Sequence, residues 1–126
     1  MKIHHIAIWT TDVDRLCSFY ETYFEASVGK KYINPEKKFE SRFLTFAGDT
    51  KIEVMARAGI LPHQPDEHLG LAHMAISVGS REKVEQLTHQ LEVDGFQIRS
   101  QPRETGDGFY ESVIEDVDGN QVEITV

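Results

Sequence analysis

One stretch decides how this chain folds: DVDGNQVEITV, residues 116–126. Its Asp118-Gly119-Asn120 segment predicts a tight turn, because glycine and asparagine tolerate the positive φ angles that such turns require. From Gln121 to Val126, polar residues alternate with valine and isoleucine. This period of two predicts a strand with one apolar and one polar face, and Glu123 leaves that strand on the polar face.

The first residues of the chain predict a strand followed by a helix. The strand runs from Ile3 to Trp9; one side carries His4, Ile6 and Ile8, and the other carries Ile3, His5, Ala7 and Trp9. Asp12 is a good N-cap for the helix. The helix has one apolar stripe to bury, formed by Leu16, Phe19, Tyr20 and Tyr23.

A hairpin is predicted next, after a polar surface loop at residues 34–38. Its strands are Arg42–Ala47 and Lys51–Ala56, joined around Gly48-Asp49-Thr50. In the second strand, Ile52 and Val54 face the core, whereas Lys51, Glu53 and Met55 face the opposite side.

Residues 58–70 predict a connector, because prolines and glycines occur there without any clear periodicity. After it the pattern begins again, with His73 in a strand from Leu71 to Val78. The remaining elements are a helix capped by Ser80 with Val84, Leu87 and Leu91 buried, a short strand Phe96–Ser100, and a hairpin of Phe109–Asp116 with Gln121–Val126.

This pattern is an internal repeat. Aligning Ile3–Ile8 with Leu71–Ile76 also places Asp12 on Ser80, and the spacing from histidine to glutamate is nearly the same in the two halves. The sequence therefore predicts a single α+β domain over residues 1–126, with module one at about 1–57 and module two at about 71–126. Its two sheets are expected to form a half-barrel lined by His5, Glu53, His73 and Glu123.

Composition excludes several classes of partner. A net charge of −8 argues against nucleic acid and anionic membranes, because a phosphate surface would repel the chain. The single cysteine, Cys17, cannot form an internal disulfide. No apolar stretch is long enough to span a bilayer, and Met1–His4 does not resemble a signal peptide, so we expect a cytoplasmic protein.

An ordered set of segments resembles one protein superfamily, the vicinal oxygen chelate proteins. These segments are His4–Ile8, Phe19-Tyr20, Ile52–Val54, Gly70–Ile76 and Glu115–Asn120 followed by Glu123. The superfamily contains glyoxalase I, bleomycin resistance proteins, fosfomycin resistance enzymes and extradiol dioxygenases. The resemblance covers the whole chain and implies two β-α-β-β-β modules that form a half-barrel metal cleft, the glyoxalase/bleomycin resistance fold.

The resemblance also implies a metal site. His5, Glu53, His73 and Glu123 match the ligand set of bacterial-type glyoxalase I, whereas fosfomycin resistance enzymes and extradiol dioxygenases normally use two histidines and one glutamate. Two imidazoles and two carboxylates suit one divalent ion, such as nickel, cobalt, zinc or manganese, with open positions for water.

A mechanism comes with this resemblance. In glyoxalase I a metal binds both oxygens of a 2-oxoaldehyde thiol adduct, a ligand carboxylate removes the carbon-bound proton, and the metal holds the enediolate. By position Glu123 is the base and Glu53 the alternative. This chain departs from the family where glutathione is bound, since Ala7 and then Trp9 stand where the bacterial enzyme has an arginine. The chemistry is therefore predicted to carry over, while the substrate is left open.

Several further residues are assigned by their positions. Trp9, Met55, Arg57 and Phe109 are predicted to line the substrate pocket, or else to fill the core. His4 is interpreted as structural, His89 as a helix-surface residue and Cys17 as inert packing. His63 and His68 lie in the connector, where solvated polar residues are expected.

Two function classes remain open at this point. One is a metal-dependent lyase, isomerase or epimerase acting on a small molecule with two adjacent oxygens. The other is a bleomycin-resistance-type protein that sequesters a small molecule, and a fosfomycin-type transferase is a third alternative. Because the connector is short and contains prolines, we expect the two modules to pair across a symmetric homodimer.

Overall fold

The computed structural model describes residues 1–61 and 69–126, and the chain divides into two compact units, Met1–Pro62 and His63–Val126. Within these described residues, each unit consists of one α-helix and one β-sheet. The fold is therefore α+β, as predicted. No helix in this part of the chain is long and apolar enough to cross a membrane.

The first unit has a five-stranded sheet. Its elements are β1 (Ile6–Trp9), α1 (Val13–Phe24), β2 (Ser27–Val28), β3 (Tyr32–Asn34), β4 (Phe39–Thr45), a 3-10 turn (Ala47–Asp49) and β5 (Lys51–Arg57). The strand order is β1-β5-β4-β2, and β3 also pairs with β4. Strand β1 is parallel to β5, and the other pairs are antiparallel.

The second unit has a four-stranded sheet. Its elements are β6 (Met74–Ser77), α2 (Arg81–Val93), β7 (Ile98–Glu104), β8 (Tyr110–Glu115) and β9 (Gln121–Thr125). The strand order is β6-β9-β8-β7, with β6 parallel to β9. The alignment that relates the two halves of the sequence carries β1 onto β6 residue for residue, so the predicted internal repeat is present in the fold.

Both helices begin at the predicted caps. The Asp12 side chain accepts a hydrogen bond from the backbone N–H of Arg15 at 3.0 Å, and Ser80 accepts one from that of Lys83 at 3.3 Å. Each bond satisfies a backbone donor that the first helical turn leaves without an intrahelical partner. The capped starts fix where each chain segment leaves the preceding strand.

The core of the first unit lies between α1 and the sheet. Leu16, Phe19 and Tyr20 are buried there, as the apolar stripe predicts, but Tyr23 is only half-buried. Phe24 takes its place, together with two further helix residues and three sheet residues: Val13, Cys17, Leu44, Ile52 and Val54. Complete burial of each large apolar side chain contributes about 1.5–3 kcal/mol to folding.

The core of the second unit contains a buried polar pair. Thr88 is buried in the middle of α2, where its hydroxyl donates to the Val84 carbonyl at 2.6 Å and lies 2.6 Å from the Ser112 hydroxyl. Leu87, predicted as part of the stripe, is only half-buried. The buried apolar side chains of this unit are Val84, Leu91, Ile114, Val122 and Ile124.

The predicted strand bounds were wrong in several places. Strand β1 begins at Ile6 rather than Ile3, because its parallel partner β5 begins only at Lys51 and offers little backbone ahead of it. Strand β6 likewise begins at Met74 rather than Leu71. Strands β4 and β7 are longer than predicted, and β2 and β3 were not predicted at all.

The faces of the two sheets alternate as the period-two patterns predict. In β5, Ile52 and Val54 are buried on the side that faces α1, whereas Glu53 and Met55 are half-exposed on the other side. We call this second side, which the helix does not cover, the open face of each sheet. The backbone register places Ala7 beside Glu53 in the first unit and Ala75 beside Glu123 in the second.

Candidate metal centre

A histidine and a glutamate lie together on the open face of the first sheet. His5 Nε2 is 3.5 Å from a carboxylate oxygen of Glu53, and the two side chains are 35% and 20% exposed. The His5 ring also packs edge-on against Phe43, with 5.4 Å between the ring centroids. Because Phe43 pairs directly with Glu53 across the β4–β5 hairpin, this aromatic ring supports the histidine from the neighbouring strand.

The other ring nitrogen of this histidine has a partner as well. His5 Nδ1 lies 2.9 Å from Nδ1 of His4. One nitrogen of such a pair donates and the other accepts, so this contact fixes the ring orientation and leaves Nε2 directed at Glu53. His4 is exposed, so its predicted place on the apolar side is wrong, because the chain ahead of Ile6 is outside the ladder.

The second unit repeats the arrangement. His73 Nε2 lies 3.2 Å from a carboxylate oxygen of Glu123, with 43% of the histidine and 18% of the glutamate side chain exposed. Both histidines stand just before the edge strand of their sheet, and both glutamates stand at the middle of its parallel neighbour. The two pairs are therefore built from equivalent positions of the repeat.

The separation of the donor atoms fits two ligands of a single ion. Two atoms that are each about 2.1 Å from a metal lie roughly 3.0–3.4 Å apart at the angles of tetrahedral or octahedral coordination. The nitrogen-to-oxygen distances of 3.5 Å and 3.2 Å are close to this range. Imidazole nitrogen and carboxylate oxygen together suit a borderline divalent ion.

Each unit on its own offers two candidate ligands. In the part of the chain that the structure describes, no group of three or more histidine, cysteine, aspartate or glutamate side chains is arranged to hold a metal ion. A metal bound by one pair has further coordination positions for a second pair, for water or for substrate.

Two predicted pocket residues lie on the same open face as His5 and Glu53. The Arg57 guanidinium lies over the Trp9 indole, 4.9 Å from the ring centroid, and Trp9 is 41% exposed. Phe39, which pairs with Arg57 across the β4–β5 hairpin, meets the indole edge-on at 6.4 Å. Phe39 was not assigned from the sequence, because the predicted strand began only at Arg42, whereas β4 begins at Phe39.

The other two predicted pocket residues, Met55 and Phe109, lie in different units. Met55 is half-buried beside Trp9, its partner in the β1–β5 ladder. Phe109 is exposed in the turn before β8, where its backbone N–H donates to the Thr105 hydroxyl. His63 and His68 lie outside the described residues.

Two further residues that were considered from the sequence, His89 and Cys17, play no part in either pair. His89 is exposed on α2, as predicted. Burial raises the pKa of the Cys17 thiol from 9.0 to about 11, so the thiol stays protonated near neutral pH. A protonated, buried thiol is a poor nucleophile and a poor metal ligand, which agrees with the interpretation of Cys17 as inert.

The model of the Glyoxalase/Bleomycin resistance protein/Dioxygenase superfamily matches residues 2–124. The chain therefore belongs to this superfamily, and the resemblance predicted from the sequence is confirmed. A relative among known sequences is the uncharacterised protein YwkD of Bacillus subtilis strain 168, which is 30% identical over 106 residues covering 80% of each chain.

Solved structures share the fold at lower identity. Glyoxalase I of Zea mays superposes with a TM-score of 0.80 at 22% identity over 98% of this chain, which spans only 44% of the maize protein. The trypanothione-dependent glyoxalase I of Leishmania major gives a TM-score of 0.79 at 24% identity, covering 99% of this chain and 86% of that one. At these identities the likeness shows a common fold and nothing about substrate.

Proposed function

We propose that this chain is a divalent-metal-dependent lyase or isomerase of glyoxalase type, acting on a small substrate with two adjacent oxygens. One observation carries the proposal: the same histidine–glutamate pair stands at equivalent positions of both units. A half-exposed pair of this kind in one sheet is an ordinary surface contact. Its repetition on both open faces, with separations of 3.5 Å and 3.2 Å, is what a shared ion requires.

The proposed ligands are His5 and Glu53 from a first unit and His73 and Glu123 from a second. We propose that the pairs meet across a symmetric homodimer. Static light scattering at micromolar concentration tests the assembly, and a purely monomeric mass contradicts it. When bound, the ion supplies a Lewis acid that draws electron density from the two substrate oxygens and so acidifies the adjoining C–H bond.

The residues of the chain then move the proton. A carboxylate oxygen of Glu123 takes the carbon-bound proton of the substrate and returns it to the neighbouring carbon, so the net reaction is a proton shift. Glu123 suits this role because β9 is the central neighbour of β6 and β8 and holds its backbone rigidly. His5 and His73 keep their Nε2 atoms directed at the glutamates and act as ligands rather than as bases.

The test combines metal analysis with an activity screen. The purified protein is loaded with nickel, cobalt, zinc or manganese in turn and assayed with the hemithioacetals that methylglyoxal forms with several thiols. We expect one ion per site and turnover that a chelator abolishes. Stoichiometric metal without turnover on any hemithioacetal would remove the lyase assignment, and the absence of metal binding would remove the proposal as a whole.

A second candidate function is the sequestration of a small molecule without chemistry, as in bleomycin resistance proteins. The observation that favours it is the exposed aromatic surface of the first unit, where Trp9, Phe39 and Arg57 contact one another. Tight binding of a ligand by metal-free protein, unchanged in Glu123→Gln, would favour this alternative.

A further inference from the structure

The open face of the first sheet holds an arginine in an unusual setting. Arg57 stacks on the exposed Trp9 indole, and Phe39 stands edge-on to the same ring. A guanidinium stacked on an aromatic face keeps its N–H edge available, and that edge matches the two oxygens of a carboxylate. The stacking also restricts the side chain, so less conformational entropy is lost when an anion binds.

The charge around Arg57 differs from that around other arginines of the chain. Arg42, Arg81, Arg99 and Arg103 each have a carboxylate within salt-bridge distance. Among the described residues no carboxylate pairs with Arg57 in this way; its contact is with the indole. Within residues 1–61 and 69–126, Arg57 is thus held by an aromatic ring and not by an acid, which leaves its N–H edge available to an anion.

A cleft of about 380 Å³ adjoins this arginine within the first unit. Phe39 forms part of its apolar wall, and Lys38 adds a second cation to its lining. Glu40 also lines the cleft, but its carboxylate lies 3.3 Å from the Lys31 ammonium, which offsets its charge. The cleft lies beside the Trp9 ring, which is not part of its lining, and it reaches Glu40 and Ala56 on the helix side of the sheet. Its contribution to the open face is therefore limited to Phe39 and Arg57.

The distance from Arg57 to the candidate metal-binding residue Glu53 sets the length of a substrate that reaches both. Glu53 and Arg57 lie on the same face of β5 and are four residues apart, which corresponds to about 13 Å between their Cα atoms. We propose that Trp9, Phe39 and Arg57 form a subsite for the carboxylate end of an elongated substrate with an apolar or aromatic body. That the other end of the substrate reacts near Glu53 rests on the proposed function, whereas the anion subsite itself does not.

Trp9 provides a direct reporter, because it is the single tryptophan of the chain. Phenylbutyrate is titrated against the metal-free protein while the indole fluorescence is followed, and phenylbutanol serves as the neutral probe of similar shape. We expect phenylbutyrate to bind at least about tenfold more tightly, since a charge-assisted hydrogen bond contributes enough for such a factor. Equal binding of the two probes would overturn the subsite.

Two variants locate the anion. Arg57→Gln is expected to reduce phenylbutyrate affinity at least about tenfold and to leave phenylbutanol binding unchanged. Lys51→Gln is the matched control, because it removes one positive charge from the same face of β5, six residues away. Wild-type affinity in Arg57→Gln, or an equal loss in both variants, would show that no local subsite exists.

The two proposals fail in distinguishable ways. Divalent metal alone is titrated into the same protein samples and followed by calorimetry. If metal binds but Trp9 fluorescence shows equal affinity for phenylbutyrate and phenylbutanol, the anion subsite is overturned and the proposed metal site stays intact. Selective phenylbutyrate binding with no metal binding supports the subsite and overturns the proposed function.

Discussion

His73 and Glu123 face each other across 3.2 Å, and residues on equivalent positions of the first unit, His5 and Glu53, face each other across 3.5 Å. The relationship follows from the sheets, because each glutamate pairs with an alanine two residues beyond the histidine in the parallel ladder. Each glutamate therefore stands at the same register position relative to its histidine.

Replacing His73 with alanine is expected to abolish stoichiometric metal binding, because the second unit then supplies one ligand instead of two. The variant should lose the roughly 2.7 kcal/mol that an ion at about 100 times its Kd adds to folding. Metal content and the thermal midpoint, each measured with and without metal, check this. His89→Ala removes an exposed helix imidazole and is the control. Metal retained at full stoichiometry in a His5→Ala, His73→Ala double variant would place the site elsewhere.

Glu123→Gln separates ligation from catalysis. The amide keeps the shape and a weaker carbonyl ligand but lacks the basic oxygen, so we expect metal and fold to be retained. Turnover should fall by roughly two to four orders of magnitude, the contribution of a positioned general base. Glu53→Gln should instead weaken metal affinity more than the chemical step. Steady-state kinetics at saturating metal measure both, and near wild-type turnover in Glu123→Gln would transfer the role of base to Glu53.

The buried hydroxyl pair of the second unit gives a stability prediction. Thr88→Val leaves the Ser112 hydroxyl buried without its side-chain partner and is expected to cost about 1–3 kcal/mol. Replacing Ser112 with alanine in the same chain should recover part of this loss, because neither partner then remains unsatisfied. Urea unfolding of the two single variants and the double variant measures the coupling. If the stability losses of the two single variants simply add in the double variant, the two hydroxyls are not coupled and the prediction fails.

Cys17 gives a prediction about alkaline pH. Burial raises the pKa of its thiol from 9.0 to about 11, so the folded state favours the protonated form. This contribution is fully present below the unfolded pKa of 9.0 and is lost as the pH rises through about 11. The free energy of unfolding should therefore decrease more steeply over this range in the wild type than in Cys17→Ala. The free energy of unfolding is measured by urea unfolding at several pH values. The same dependence on pH in the two proteins would contradict the expectation.

Elements with strong local signals were predictable from the sequence. The turn at Asp118-Gly119-Asn120 forms, with Gly119 at a φ of 86°, and the alternating pattern after it matches β9. Both caps, at Asp12 and Ser80, begin helices where expected. These features depend only on residues that are close in sequence, and they can therefore be predicted from the sequence alone.

Features that depend on pairing partners were not predictable. Strands β2 and β3 contain two and three residues, too few to show a period, and they exist because β4 offers them an edge. The position of His4 was wrong for the related reason that the ladder does not extend to it. Thr88 was missed because a lone threonine in a helix has no local sign of its buried partner on another strand.

The candidate site was predictable in its residues but not in its surroundings. The repeat in the sequence pointed to His5 and Glu53. The contacts of the His5 ring with Phe43 and His4 became visible only in the structure. The stacking of Arg57 on Trp9 joins residues far apart in sequence that the parallel β1–β5 register brings together. Convergence of the two pairs on one ion stays a prediction.

The internal repeat has a consequence for how such a chain diversifies. Where the first unit has Trp9 at the end of β1, the second has Ser77 at the end of β6, so only one of two otherwise equivalent positions carries the indole. A repeated module supplies two copies of the histidine–glutamate pair, while the neighbours of each copy can differ. Substitutions around Trp9 therefore change the surface of the first unit without touching the unit that carries Glu123. In this chain the repeat is kept at the two histidine–glutamate pairs and is broken beside them.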